Sequence, residues 1–167
     1  MEIFSVIFDF ILHIDVHLGE IIARYGILSY GIIFAIIFAE TGLVFTPLLP
    51  GDSLLFAAGA FSATGSFNIA VLLISLWAAA FLGDTVNYLV GHYFGRKIID
   101  NPKIPINQAH IDKTQKFYDK YGGKTIFLAR FVPIVRTFAP FVAGAGKMDY
   151  KKFIYYNATG GFAWVFG

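Results

Sequence analysis

Apolar residues run along this chain in blocks of membrane-crossing length, and the polar positions that interrupt them are concentrated in a few places. Residues 3–22 are apolar-rich but carry Asp9, His13, Asp15, His17 and Glu20. Asp9, His13 and His17 recur every four residues, so they share one helix face. The spacing predicts an N-terminal helix within residues 1–24, either interfacial or a first span with a polar stripe. Ile27 to Phe45 follows, long enough to cross a bilayer at about 1.5 Å per residue. It carries Glu40 near its end and breaks at Thr46-Pro47-Leu48-Leu49-Pro50-Gly51-Asp52. Proline lacks the helix donor and restricts its predecessor, so a helix stops here. Apolar sequence resumes at once with LLFAAGAF. A broken backbone at membrane depth must be buried in protein or face a water-filled cavity. Residues 41–64 therefore read as a re-entrant hairpin.

Phe67 to Gly83 is a plainer span that continues towards Gly95 through Asp84 and Asn87, and its glycines 83, 91 and 95 suit close helix packing. Residues 96–124 form the one long hydrophilic stretch, with seven Lys/Arg against three acids. The positive-inside rule puts this loop in the cytoplasm. Asn107 is placed to cap an amphipathic helix ending at Gly122, either lying on the anionic inner leaflet or serving as a solvated connector. Residues 125–146 are apolar again, broken by Pro133, Pro140 and Gly144 and flanked by basic residues on both sides. A second hairpin returning to the cytoplasmic face keeps both basic flanks inside. A final span starts at Phe153 and stops before it would cross, which reads as a cut end.

Composition fixes the class. The chain has 167 residues, of which 57% are hydrophobic and 18% aromatic, with mean hydropathy +0.66. Soluble domains are roughly 45–50% apolar, and a fold of this size could not hide the excess. An all-α, multi-pass integral membrane protein of a single domain, residues 1–167, is the expected architecture. A net charge of +2 argues against bulk nucleic-acid binding. The absence of cysteine excludes disulfides, thiolate catalysis and cysteine metal sites. The N-terminus lacks the basic region of a signal peptide.

Charge distribution then supplies the candidate chemistry. From Tyr25 to Gly95 there is no lysine or arginine, yet Glu40, Asp52 and Asp84 are kept; residues 125–146 hold Arg130 and Arg136 and no acid. A lone charge at membrane depth costs about 2.5–3.5 kcal/mol on insertion scales, so such residues are paired, hydrated or functional. Glu40 and Asp52 are the candidate counter-charges of the arginines. The two proline-broken segments, containing Pro47, Pro50 and Gly51 in one and Pro133 and Pro140 in the other, echo each other loosely. Such pairs point to an inverted-repeat transporter with its site between them. Asp84 and Asn87 read as interhelical hydrogen-bonding residues. His13 and His17 supply two metal ligands without a third, and His92 and His110 have no evident partners. Asn157-Ala158-Thr159 fits a glycosylation sequon but lies in an apolar segment. No metal, cofactor or catalytic constellation is expected.

Several motifs together resemble the bacterial DedA family across nearly the whole chain. They are Glu40-Thr-Gly-Leu, Pro47-x-x-Pro50-Gly51-Asp52-Ser-Leu-Leu and Gly83-Asp84-x-x-Asn87-Tyr88-x-x-Gly91. Phe127-x-Ala-Arg130-Phe-x-Pro133-x-x-Arg136-Thr-x-x-Pro140 and Tyr156-Asn157 with Trp164 complete the set. The resemblance implies an inner-membrane protein with two opposed re-entrant hairpins. It also implies roles in recycling undecaprenyl phosphate and in envelope integrity linked to the proton motive force. The family's important acids map onto Glu40 and Asp52, and its arginines onto Arg130 and Arg136. Family chains continue through further transmembrane helix.

The leading expectation is transbilayer movement of an anionic lipid, undecaprenyl phosphate or a phospholipid, with coupling to the proton motive force. Arginine suits this task because it stays charged and its planar fork grips phosphate at two points. Arg130 and Arg136 are over half a turn out of phase on a continuous helix, and the Pro133 break would let them converge on one headgroup. The alternatives are ion pairs that merely pin the hairpins, a proton-coupled carrier of small cations or drugs, and a membrane-integrity factor that transports nothing. Oligomeric state is left open.

Overall fold

The computed structural model describes residues 2–43, 51–103 and 108–166, and the described residues are helical with short connections. The N-terminal stretch forms α1 (Glu2–Leu12) and α2 (Ile14–Tyr25). This corrects the single helix expected over 3–22: His13 leaves helical geometry at φ −119° and ψ 36°. Its ring nitrogen lies 3.2 Å from the Asp9 carbonyl and 3.0 Å from the Asp9 carboxylate, while its backbone N–H still donates to Asp9 O at 2.9 Å, so the break is a local kink. α2 ends at Gly26, whose φ of 53° suits a residue without Cβ.

α3 (Leu28–Gly42) and α4 (Gly51–Ala63) stand on either side of the first proline-rich break. Pro47 and Pro50 lie outside the described residues; of the stretch 41–64, over which a hairpin is expected, residues 41–43 and 51–64 are described. α4 closes with Gly65 at φ 85°, Gly65 N–H donating to Ser62 O (3.1 Å) and Ser66 N–H to Phe61 O (3.0 Å). That is the paired-bond ending in which glycine takes the left-handed position.

α5 (Ile69–Ile99) is the axle of the fold and the one described helix long and apolar enough to cross a membrane. Its start is fixed by Asn68, whose Oδ1 accepts from Ala70 N–H (3.0 Å) and Val71 N–H (3.3 Å). The glycines expected to pack do so. Gly83 faces Thr41 on α3, Gly91 faces the Phe141 backbone and Gly95 faces Ala145. Gly144 on α8 meets the α5 backbone at Tyr88. A side chain at any of the four would force the helices apart.

The C-terminal half comprises α6 (Gln108–Tyr121), a 3-10 turn (Gly122–Lys124), α7 (Thr125–Ala129), α8 (Pro133–Ala145) and α9 (Tyr150–Phe166). The expected cap Asn107 lies outside the described residues. The apolar side of α6 is occupied by the protein itself. Ile111 is buried with Phe138, Phe141 and Val142, and Tyr118 donates to Ala139 O at 2.9 Å. The apolar face of α6 is thus docked on α8.

Beside this α6–α8 contact, two larger clusters pack among the described residues. One joins α2, α3 and α4 to the first half of α5, and the other joins α7, α8 and α9 around Tyr88. Outside them, large apolar side chains such as Ile3, Phe4, Ile27, Phe56, Ile74 and Phe162 are exposed on helix after helix. Patches of that extent belong against lipid rather than water.

Candidate functional site

Charged residues from five helices meet where the two clusters join. Arg136 lies in the first turn of α8, started by Pro133 at a position where the missing N–H costs nothing. Its Nη2 donates to Glu40 Oε1 at 3.1 Å and its Nη1 to Asp52 Oδ1 at 2.8 Å. Glu40 is in the last turn of α3 and Asp52 in the first turn of α4. One guanidinium thus ties both sides of the first break to the start of α8. The setting is graded: the side chains of Glu40 and Arg136 are 9% and 14% exposed, and that of Asp52 is 57% exposed.

Arg130 occupies the other end of the α7–α8 break. Leu128 and Ala129 carbonyls accept from Phe131 N–H (3.2 Å) and Val132 N–H (3.0 Å), and Val132 is extended. The chain therefore changes direction between the two arginines. Arg130 Nη2 donates to Asp84 Oδ2 (2.5 Å) and to Asn157 Oδ1 (2.7 Å). The Arg130 and Asp84 side chains are 1% and 5% exposed. Asn157 in turn donates to Phe81 O at 3.0 Å and Thr85 Oγ1 at 3.3 Å, spending its amide on α5. Asn157 is thereby sealed inside the protein rather than displayed as a glycosylation acceptor.

The expected pairing is corrected here. Glu40 and Asp52 both go to Arg136, and the counter-charge of Arg130 is Asp84, which sequence reasoning placed among the hydrogen-bonding residues. The two arginines differ in access, the Arg130 side chain being 1% exposed and that of Arg136 14%. The Trp164 ring stands near both, its centroid 5.9 Å from the Arg130 guanidinium carbon and 5.4 Å from that of Arg136. Both distances are within cation–π range.

Asn87 acts as a staple. Its Nδ2 donates to Thr137 O on α8 (3.0 Å) and Thr41 O on α3 (3.3 Å), tying both helices to α5. Pro140, inside α8, cannot donate to the Arg136 carbonyl one turn earlier. Pro47 and Pro50 lie outside the described residues, while Gly51 opens α4.

Three positions were missed. A Cβ on Gly160 would sit 3.7 Å from Arg130 Nε, and one on Gly161 would sit 3.4 Å from Arg130 Nη2 and from the Trp77 ring. The glycine pair makes the slot in which Arg130 lies. Trp77 completes it, donating from Nε1 to Ala158 O at 3.1 Å. The adjacent glycines in an apolar segment were the available signal. His13 and His17 both turn to Asp9, at 3.0 and 3.3 Å, and among the described residues no three His, Cys, Asp or Glu side chains are arranged to hold a metal.

Residues 49–167 match the VTT domain. The chain is 54% identical to Protein DedA of Escherichia coli (strain K12), over 99% of its own length and 77% of that protein. The chain belongs to the DedA family. It is also 41% identical to the uncharacterized membrane protein ML0287 of Mycobacterium leprae (strain TN), over 77% of this chain and 58% of the other. Inner membrane protein YqjA of Escherichia coli (strain K12) is 31% identical, over 81% and 62%. No solved structure matches the chain. In this DedA-family chain the matched domain takes in Asp52, Asp84, Asn87, Arg130, Arg136 and Asn157, with Glu40 just ahead of it.

Proposed function

We propose that this chain is a lipid transporter of the bacterial inner membrane that moves an anionic lipid between leaflets. Undecaprenyl phosphate, returned for reuse as an envelope lipid carrier, is the cargo that fits best. Arg136 carries the reading. It is a partly accessible guanidinium in an apolar protein, held by one hydrogen bond to each of two carboxylates, one of which is largely exposed. A phosphate monoester can replace Asp52 on that fork and accept two parallel bonds.

The first turns of α4 and α8 lie at this point, so the positive ends of two helices add to the arginine. In this reading residues 41–64 and 125–146 are opposed re-entrant hairpins, with the 96–124 loop cytoplasmic. Arg130 supports the site by fixing the second hairpin to α5 and α9. A carboxylate released from Arg136 is free to take a proton, which offers a route for the proton motive force to drive the cycle. Glu40→Gln and Asp52→Asn are each expected to weaken the dependence on a pH gradient; full gradient dependence in both would exclude this route.

A small-cation carrier would need Glu40 and Asp52 as ligands, whereas both engage Arg136. The test is the exposure of undecaprenyl phosphate at the outer leaflet of liposomes containing purified protein. Protein-dependent exposure is expected. A folded, inserted protein that exposes none would overturn the lipid reading in favour of a membrane-integrity factor.

A further inference from the structure

A groove of about 470 Å³ runs between α2 and α4, with Ile14, Phe56, Ala57, Ala60 and Phe61 along it and Asp15, Asp52 and Ser53 at its polar positions. We propose that this groove holds the hydrocarbon chain of the same lipid whose phosphate engages Arg136. The inference rests on the transport reading given above. It adds where the chain of the lipid goes and which residues recognise it.

Three observations on the groove point the same way. First, Asp52 belongs both to the groove and to the ion pair: its Oδ1 is 2.8 Å from Arg136 Nη1. An amphiphile that takes the place of Asp52 on Arg136 has this groove beside it. Second, the polar and apolar positions are segregated. Asp15 and Asp52 are in the first turns of α2 and α4. Further along, Gly19 on α2 meets Phe61 on α4, a Cβ there falling 3.4 Å from the ring. A headgroup end and a chain end are therefore distinct, as an anionic lipid requires.

Third, the groove is open sideways. Phe56 is 82% exposed and Ala60 is exposed, so a chain enters from the bilayer without the lipid leaving it. The volume lies within the roughly 300–1,000 Å³ of small-molecule sites. The small side chains of Ala57 and Ala60, between the larger Phe56 and Phe61, leave a channel suited to a flexible hydrocarbon rather than to a second protein helix. Asp15 and Asp52 oppose an approaching phosphate while both are ionised.

The experiment uses purified full chain in liposomes with a diazirine-bearing prenyl phosphate, its alcohol of the same chain, and unlabelled prenyl phosphate as competitor. Labelled peptides are mapped by mass spectrometry, and translocation is measured in parallel. Labelling of residues 14–25 and 51–63 by the phosphate, competed by unlabelled lipid and weak for the alcohol, is the expected result. Ala60→Phe fills the groove at an exposed position, and should lower labelling and translocation about tenfold with an unchanged thermal midpoint, the loss of one well-placed contact. Ile74→Ala, at an exposed apolar position on α5 away from the groove, should preserve labelling and serves as the folding control. Competed labelling without translocation would keep the groove and overturn the transport reading. Translocation with labelling spread evenly over the lipid-facing helices, or unaffected by Ala60→Phe, would overturn the groove alone.

Discussion

Arg130 and Arg136 are six residues apart, equally apolar in their neighbours, and built into opposite environments. Arg130 is enclosed by α5 and α9, its charge met by Asp84 and Asn157 and its side chain laid in a slot made by two glycines. Arg136 sits at the edge, shared between Glu40 and a largely exposed Asp52. The difference teaches that an arginine in an apolar segment is not thereby a ligand-binding arginine. Its role depends on whether its partners can be exchanged. An enclosed pair holds because removing one partner strands a charge, whereas an edge pair can trade its carboxylate for a phosphate.

The strongest way to break the comparison is at Asp84. Asp84→Ala leaves Arg130 charged and enclosed, and is expected to cost about 3–5 kcal/mol of stability, read as loss of the thermal transition in detergent. Arg130→Met with Asp84→Leu should recover much of that loss, because apolar replacement of a whole buried pair is often close to neutral. Failure of the double variant to recover would show that Arg130 does more than anchor.

At the other arginine the sign of the experiment reverses. Arg136→Lys keeps the charge but loses the planar fork, so translocation should fall about tenfold or more while stability changes by about 1 kcal/mol or less. Trp164→Leu comes next. It removes the ring shared by both guanidinium groups, an expected cost of about 0.5–2 kcal/mol in thermal unfolding.

The smallest effect concerns the end of α8. Lys147 N–H donates to Gly144 O and Met148 N–H to Ala143 O, the same ending seen at Gly65, but here a lysine takes the left-handed position with φ 54°. Lys147→Gly should stabilise by about 0.5–1 kcal/mol, measured by chemical unfolding. A loss instead would mean that the lysine side chain contributes more than its backbone strain costs.

Part of this design was legible in the residues. The scarcity of charge made Glu40, Asp52, Arg130 and Arg136 conspicuous, and proline and glycine marked the chain reversal before α8. Packing glycines on α5 were readable from their spacing. The partner of Arg130 was not, because spacing says which residues share a helix face but not which helix that face meets. Asp84 lies on α5 and reaches α7 only through tertiary packing. The same gap hid the docking of α6 on α8, where an amphipathic pattern suits a leaflet and a protein surface equally. The break at His13 carries no proline or glycine to mark it.

The most direct test sets the two arginines against each other in one assay. Undecaprenyl phosphate exposure at the outer leaflet is measured for liposomes containing wild-type protein, Arg136→Gln and Arg130→Gln, each scored for insertion and thermal midpoint. Arg136→Gln should remain folded and lose translocation, while Arg130→Gln should lose its fold first. Wild-type translocation by a folded Arg136→Gln would contradict the account.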